Sequence, residues 1–285
     1  MSAFSHLISF ESPDGEQFFA NLGNTSPNIP SQGSSLAAYR SFEDLQEGKD
    51  QVTAIFQNLL PPLPRNNLPI YCVGLNFKSH AEEASLNIPK YPPLWSKPAG
   101  ALAAPEEDIP MSKGCASGFP DWEGELVFVT SKECRDVSPE EAESIILGYT
   151  AGNDLTCRFF QLRENSGGQF FYAKAFDKFA PIGPVLTSAD DFAKGERIKL
   201  ITRVNGQVVQ NADLKEDMIS SPAKILSFMS QGTTIPAFTA VMTGTPKGVG
   251  YFRKPKQPLN HEDIVEVEIT NIGVLKNRIL FPEGK

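Results

Sequence analysis

The sequence predicts a mixed α+β fold that is rich in β-strands and carries a small N-terminal appendage. Several short segments alternate apolar and polar residues, as strands with one buried face do, and only a few segments carry helix signals. The strand segments fall at irregular intervals, so they do not form regular βαβ units. A proline-rich stretch at 61–64 separates the first part of the chain from the rest. We therefore expect a β appendage with its linker over residues 1–65 and a larger domain over residues 66–285.

The appendage begins with two short apolar segments, at 7–10 and 17–20, on either side of the turn-forming residues 12–15. This pattern predicts a β-hairpin. In the larger domain, strands are expected at 69–75, 123–130, 199–209, 238–242 and 263–270, and Asn205-Gly206 occupies the turn of a second hairpin. A capping box that begins at Ser138 and a Ser221-Pro222 pair each predict the start of a helix.

Composition restricts the class of partner. The chain has 285 residues with 26 basic and 34 acidic side chains, a net charge of −8, and no basic block. This balance argues against nucleic acid or an anionic membrane as the partner and favours a small molecule. No apolar run approaches the roughly 18 residues that span a bilayer, and the first basic residue is Arg40. We therefore expect a cytoplasmic enzyme, whose four cysteines have no C-x-x-C spacing and are predicted to stay reduced.

Three carboxylates form a candidate metal site. Glu123 and Glu125 are two residues apart in a predicted strand, so their side chains share one face and need a positive charge between them. Asp154 lies among small and apolar residues, where an unpaired carboxylate is costly. Together they predict an oxygen-rich site for Mg²⁺ or Mn²⁺. The alternatives are a solvated strand face for the two glutamates and a local turn or helix cap for Asp154.

A second group of residues has the chemistry of acid–base catalysis. His80 and Glu83 are three residues apart, so on a helix the carboxylate can orient the imidazole as a general base. Lys174 is a cation in an apolar segment, which indicates either a buried functional lysine or one that extends to solvent. For His80 and Glu83 the alternative is an ordinary ion pair on a helix surface.

Two further segments could meet a substrate. Arg158 and Gln161 follow Asp154 at helical spacing, and they could equally lie on the surface. The glycine-rich loop at 243–250, which contains Thr245, offers backbone N–H groups and hydroxyls to a carboxylate, although an ordinary tight turn explains its glycines as well.

Taken together, these motifs resemble the fumarylacetoacetate hydrolase family. The resemblance covers roughly residues 65–282 and rests on six motifs in order: V-G-L-N-F-x-x-H-A-x-E at 73–83, L-W-S-K-P around Lys97, D-W-E-G-E-L at 121–126, G-Y-T-x-G-N-D at 148–154, A-K-x-F-D around Lys174, and T-G-T-P-K-G-V-G at 243–250. It implies a mixed β-roll core, usually in a homodimer.

The resemblance also implies roles for individual residues. Glu123, Glu125 and Asp154 would hold Mg²⁺ or Mn²⁺, and Lys174 would face the oxygens that the metal binds. His80 and Glu83 would form a catalytic dyad on a lid helix. The substrate would contact three further residues, namely Arg158, Gln161 and Thr245.

The expected function is hydrolysis of a carbon–carbon bond in a 1,3-dicarbonyl or 2-oxo acid substrate of the acylpyruvate or fumarylacetoacetate type. The alternative is decarboxylation or isomerisation of an oxaloacetate-type 2-oxo acid at the same site. A non-catalytic binding protein is disfavoured because the three carboxylates, Lys174 and the dyad are all present.

Overall fold

The structure, a computed structural model, describes residues 3–23 and 28–282. The two units expected at 1–65 and 66–285 therefore include a few residues, at 1–2, 24–27 and 283–285, that lie outside the described ranges. The described strands, in chain order, are β1 His6–Glu11, β2 Gln17–Asn21, β3 Ser35–Ala38, β4 Val52–Ile55, β5 Asn58–Leu60, β6 Ile70–Val73, β7 Leu94–Lys97, β8 Leu102–Ala103, β9 Asp108–Pro110, β10 Pro120–Asp121, β11 Gly124–Thr130, β12 Ile146–Asn153, β13 Thr156–Cys157, β14 Ala180–Ser188, β15 Lys199–Val204, β16 Gln207–Asp213, β17 Ala240–Met242, β18 Ile264–Ile269 and β19 Gly273–Leu280.

The helices of the described chain are short. They are α1 Phe42–Glu47, α2 Lys78–Ala84, α3 Lys113–Ser117, α4 Pro139–Ile145, α5 Arg158–Gln161, α6 Arg163–Ser166, α7 Phe171–Lys174, α8 Ala189–Phe192, α9 Leu214–Asp217 and α10 Pro222–Ser230, with single 3₁₀ turns at Ala99–Ala101 and Gly250–Phe252. The predicted mixed, β-rich fold class is confirmed.

Two large sheets form the centre of the molecule. The first has the strand order β2-β1-β14-β12-β11-β17-β6-β7, with β5 paired to β1 and β8 paired to β14, and the second has the order β16-β15-β18-β19-β9. Apolar residues from both sheets meet between them, among them Leu126 and Ala151 from the first and Leu200 and Val267 from the second. This packing buries β11 on both faces, whereas its sequence pattern predicts one buried face.

Several local predictions are confirmed. The N-terminal hairpin forms from β1 and β2, and β15 and β16 pair around Asn205-Gly206, where both residues have positive φ. Helix α4 begins with the predicted capping box between Ser138 and Glu141. All four cysteines are free and buried.

The N-terminal hairpin joins the main sheet through the antiparallel pairing of β1 with β14. The expected boundary near residue 65 stays a prediction about which part of the chain folds independently.

Candidate active site

Strand pairing brings the three candidate metal ligands together. Strands β11 and β12 are antiparallel, with Glu125 opposite Gly152, and the chain continues from β12 directly into Asp154. The backbone N–H of Asp154 then donates to the carbonyl of Glu123 over 2.8 Å. Carboxylate oxygens of Glu123, Glu125 and Asp154 all lie within 4.8 Å of one another, and all three residues are buried.

Lys174 links two of these carboxylates. Its Nζ donates to Oε2 of Glu123 over 2.8 Å, to Oδ2 of Asp154 over 2.6 Å and to the Thr156 hydroxyl over 2.8 Å. Its side chain is buried, and the ammonium lies over the Trp95 ring. Burial lowers the pKa of Lys174, but the charges of Asp154 and Glu123 outweigh it and raise that pKa. The raised pKa favours the charged form of Lys174, and its side chain does not extend to solvent.

Lys97 is a second buried lysine in the cluster. Its Nζ lies 2.6 Å from Oδ1 of Asp154 and donates to the carbonyl oxygens of Leu155 and Phe179. The L-W-S-K-P motif contains Lys97, but the motif alone implies no role for this lysine. The signal that the sequence gives is a lysine in a largely apolar segment, two residues after Trp95 and directly before Pro98.

Arg158 lies on the other side of Glu123. The pairing of β10 with β13 places Asp121 opposite Thr156, so Asp121 reaches the start of α5. Nε of Arg158 donates to Asp121 over 2.7 Å, and Nη1 lies 2.7 Å from Oε1 of Glu123 and donates to Oε1 of Gln161 over 2.8 Å. Nη2 is buried and has no hydrogen-bond partner within the described chain, so it is a free donor.

Asp121 contacts Arg158 in the site, and sequence reasoning missed it. Its carboxylate accepts the backbone N–H groups of Trp122, Gly250 and Tyr251 as well as the Arg158 guanidinium. Burial raises the pKa of Asp121 in spite of the nearby Arg158. Asp121 thus fixes Arg158 to the loop that follows the T-G-T-P motif.

The charges of the cluster are unequal. Burial raises the pKa of Glu123, but Lys174 and Arg158 outweigh it and hold that pKa at about 2. Glu125 has no cationic partner among the described residues and accepts the backbone N–H of Gly244 over 2.7 Å. Burial, together with the charges of Asp154 and Glu123, raises the pKa of Glu125 well above its usual range.

Counting the buried groups shows what the site can hold. Four carboxylates face three cations, which leaves one negative charge in excess when all are ionised. The carboxylates are Asp121, Glu123, Glu125 and Asp154, and the cations are Lys97, Arg158 and Lys174. The excess lies on Glu125, at the point where oxygens of three carboxylates converge. An all-oxygen donor set with surplus negative charge fits a hard divalent cation.

The Gly244 position depends on the absence of a side chain. Its φ is +92°, and a Cβ atom there would lie 2.9 Å from Cβ of Asn76. The Asn76 amide in turn donates to the carbonyl of Thr243 over 2.7 Å. This close approach aims the Gly244 N–H at Glu125.

Thr245 lies beside the cluster with its hydroxyl engaged. Its Oγ1 donates to the carbonyl of Gly124 and accepts from Nε2 of Gln210. Its expected role in holding a substrate carboxylate stays a prediction.

His80 and Glu83 lie on α2, as the spacing predicts. Nδ1 of His80 lies 3.3 Å from Oε2 of Glu83, and the Glu83 carboxylate also accepts the backbone N–H of Gly248. The His80 ring packs edge-on against Phe252. The start of α2 is held by Asp217, which accepts the N–H and the hydroxyl of Ser79. The base candidate is therefore fixed over the loop at 244–252.

One cavity of about 400 Å³ is shared by most of these side chains. It is lined by the following residues that carry chemistry: His80, Glu123, Glu125, Arg158, Gln161, Arg163, Lys174 and Thr245. Apolar side chains, including Trp95, Phe170 and Phe252, form much of the remaining wall. All the residues expected from the sequence to act on a substrate or to hold the metal thus lie in or directly beside a single cavity, although their individual roles stay predictions.

Comparison with known proteins identifies the family. The family model described as fumarylacetoacetate (FAA) hydrolase C-terminal matches residues 69–280. The chain belongs to the fumarylacetoacetate hydrolase family. The human protein named oxaloacetate tautomerase FAHD2A, mitochondrial, is 33% identical over 231 residues, which cover 78% of this chain and 72% of the relative.

Two solved structures of the family extend the comparison to nearly the whole chain. The 5-carboxymethyl-2-hydroxymuconate delta-isomerase from Mycobacterium smegmatis has a TM-score of 0.76 and 28% identity over 98% of this chain and 100% of its own. The fumarylacetoacetate hydrolase from Exiguobacterium antarcticum has a TM-score of 0.77 and 26% identity over the same shares. Family members with this fold thus carry the names of tautomerases, isomerases and hydrolases.

Two expectations about the cell remain predictions. Among the described helices, none is long and apolar enough to cross a bilayer. The human relative is named as mitochondrial, so the cytoplasmic location expected from the sequence is not confirmed. The expected homodimer likewise stays a prediction.

Proposed function

We propose that this family member catalyses divalent-metal-dependent enolisation of a 2-oxo acid, that is, keto–enol tautomerisation of an oxaloacetate-type substrate. The observation that carries the proposal is the single cavity that Glu123, Glu125 and His80 line together. Asp154 completes the acidic cluster and Glu83 contacts His80 directly beside that cavity. Enolisation needs positive charge at a carbonyl oxygen and a base at the adjacent carbon, and this cavity offers both. The human relative named oxaloacetate tautomerase supports the same reaction class.

The charge at the oxygen would come from two sources. Mg²⁺ or Mn²⁺ held by Glu123, Glu125 and Asp154 would supply Lewis-acid stabilisation of the developing enolate. Lys174 adds a fixed ammonium at the edge of the same cluster. Arg158 directs its free Nη2 donor to the substrate carboxylate while its other nitrogens stay on Asp121, Glu123 and Gln161.

The proton would move through His80. When Nδ1 donates its hydrogen to Glu83, Nε2 carries the lone pair and takes a proton from the carbon next to the carbonyl. The electron pair of that C–H bond then becomes the enol double bond, and His80 returns the proton to the oxygen. The reverse transfer converts enol to keto, so no water is consumed.

A test follows the substrate carbon directly. Oxaloacetate is incubated in D₂O with the Mg²⁺-loaded protein, and exchange at C3 is measured by NMR beside CO₂ release and the acids formed. We expect hydrogen exchange at C3 to be much faster than CO₂ release and cleavage. Loss of the enol, followed by its ultraviolet absorbance, should be equally fast. His80→Ala should abolish the acceleration, whereas Glu82→Gln, a change at an exposed position of the same helix, should preserve it. Absence of accelerated exchange in the wild-type protein would rule the proposal out.

Hydrolysis of a carbon–carbon bond is the second candidate. The 26% identical structure named fumarylacetoacetate hydrolase favours it, as does a general base that could equally activate water. An acylpyruvate incubated with the same protein distinguishes the two reactions. Formation of two acids with one oxygen from H₂¹⁸O would establish hydrolysis, and C3 exchange without cleavage would exclude it for that substrate.

A further inference from the structure

The wall and rim of the active-site cavity carry cationic side chains that the proposed reaction does not use. Arg163, the first residue of α6, lines the cavity and is exposed. It forms no ion pair within residues 3–23 and 28–282. The other two cations of the wall, Arg158 and Lys174, are both neutralised by buried carboxylates. Arg163 is therefore the uncompensated positive charge of this wall.

The loop that follows the T-G-T-P motif adds further positive charge. From residue 247 to residue 260 the sequence contains no acidic residue and four cations, namely Lys247, Arg253, Lys254 and Lys256. None of the four forms an ion pair with a described residue. In a chain with a net charge of −8, this is an unusual concentration of one sign.

The loop is positioned beside the cavity by its aromatic residues. Tyr251 and Phe252 both line the cavity. Nζ of Lys256 lies 3.5 Å from the centroid of the Tyr251 ring. This cation–π contact ties Lys256 to a residue that lines the cavity, although Lys256 is not itself part of the lining. Arg253 follows Phe252 directly and is half-buried.

We propose that Arg163, assisted by Lys256, forms a cationic entrance that selects 2-oxo acids with a second carboxylate. The inference rests on the proposed function, which places the 2-oxo acid end of the substrate at the acidic cluster. The second carboxylate of a four- or five-carbon dicarboxylate then lies toward the wall of the cavity. There the Arg163 guanidinium can donate two parallel hydrogen bonds to it, and Lys256 increases the local concentration of the dianion.

The excess charge of the buried cluster supports this reading. With all four carboxylates ionised the cluster has one surplus negative charge, so with a bound divalent cation it would have one surplus positive charge. A monocarboxylate 2-oxo acid compensates that charge alone. A dicarboxylate brings one further negative charge, and Arg163 is the partner that the wall leaves free for it.

The test compares two acids that differ only in the second carboxylate. Binding of 2-oxoglutarate and of 2-oxopentanoate to the Mg²⁺-loaded protein is measured by calorimetry for the wild type, Arg163→Gln and Lys256→Gln. We expect the wild type to prefer 2-oxoglutarate by about tenfold, as one charge-assisted bidentate pair allows. Arg163→Gln should reduce the preference to about twofold without changing the affinity for 2-oxopentanoate. Lys256→Gln should reduce it less, and its effect should vanish at high salt.

Arg135→Gln is the matched control, because Arg135 is an exposed arginine outside the cavity and the change removes the same charge. Equal binding of the two acids by the wild type, or an equal loss for both acids in Arg163→Gln, would overturn the entrance while leaving the proposed function intact. If neither acid binds to the Mg²⁺-loaded protein, both the entrance and the proposed function are wrong.

Discussion

The Nζ atom of Lys97 lies 2.6 Å from Oδ1 of Asp154, and neither side chain is exposed. Lys174 holds the other oxygen of the same carboxylate, over 2.6 Å. Asp154 is thus fixed between two buried ammonium groups, and its orientation does not depend on a metal ion. A carboxylate that is already aimed loses little conformational freedom when a cation binds.

Removing one of these ammonium groups should make the fold depend on metal. Lys97→Met removes one of the two buried cations that contact Asp154. The loss of one member of a buried ion pair lowers the free energy of unfolding by about 3–5 kcal/mol. Mg²⁺ should recover part of this loss because it restores positive charge at the carboxylate. Urea unfolding with and without Mg²⁺ measures both effects. Lys132→Met, at an exposed position, is the control; equal stabilisation of Lys97→Met and wild type by Mg²⁺ would contradict the reasoning.

Glu125→Gln should separate metal binding from folding. The amide oxygen of glutamine can still accept the Gly244 N–H, and a neutral side chain removes the surplus charge that burial penalises. The variant should fold with unchanged or higher stability, bind Mg²⁺ at least tenfold more weakly and lose turnover. Calorimetry and thermal unfolding provide the measurements. Wild-type Mg²⁺ affinity in this variant would remove Glu125 from the metal site.

Metal binding should be coupled to proton release. Burial and the charges of Asp154 and Glu123 raise the pKa of Glu125 in the metal-free protein, so as the pH falls through that raised pKa the carboxylate takes up a proton. Mg²⁺ must then displace this proton, and its affinity should fall with decreasing pH. Calorimetry in buffers of different ionisation enthalpy counts the protons. Glu125→Gln should release fewer of them, and identical proton release by the two proteins would refute the assignment.

His80→Ala should affect the chemistry alone. His80 contacts Glu83 and Phe252 and belongs to none of the carboxylate pairs of the cluster. We expect unchanged Mg²⁺ affinity and stability with a loss of about 10²–10⁴ in kcat, as for a positioned general base. Steady-state kinetics beside calorimetry test this, with Glu82→Gln as the control on the same helix. Turnover at the wild-type rate would return His80 to the role of a polar residue on a helix face.

The segment at 78–93 should become more ordered when a ligand binds. Helix α2 is anchored at Ser79 and Glu83, but the residues after it leave Leu86, Ile88 and Tyr91 exposed. A segment with so few buried contacts should exchange its amide hydrogens rapidly in the free protein and more slowly with Mg²⁺ and a 2-oxo acid. Hydrogen exchange followed by mass spectrometry measures this, with the fully buried strand β11 as the internal reference. Equal, strong protection in both states would show that the segment is not a lid.

The sequence predicts well those features that depend on neighbouring residues. The capping box of α4 and the Asn205-Gly206 hairpin each need only a few adjacent side chains, and both form as expected. The spacing of Glu123 and Glu125 likewise implies a shared face, and the structure places their oxygens together.

Features that depend on distant strands could not be predicted in this way. Lys97 becomes buried because the chain at 154–179 folds over it, and Asp121 becomes a hub because residues 250 and 251 return to it. The pairing of β1 with β14 joins segments about 180 residues apart. Hydrophobic alternation reports on one strand at a time, so it contains no information about such partners.

The contact between Glu83 and the Gly248 N–H has a consequence for the timing of catalysis. The carboxylate that orients the imidazole is also the group that attaches α2 to the loop. If α2 withdraws to admit a substrate, Glu83 loses this contact with the loop, whereas His80 and Glu83 move together because both lie on the helix. Under the proposed function, the imidazole would then be aimed into the cavity only while α2 rests on the loop, so proton transfer would be confined to the closed site.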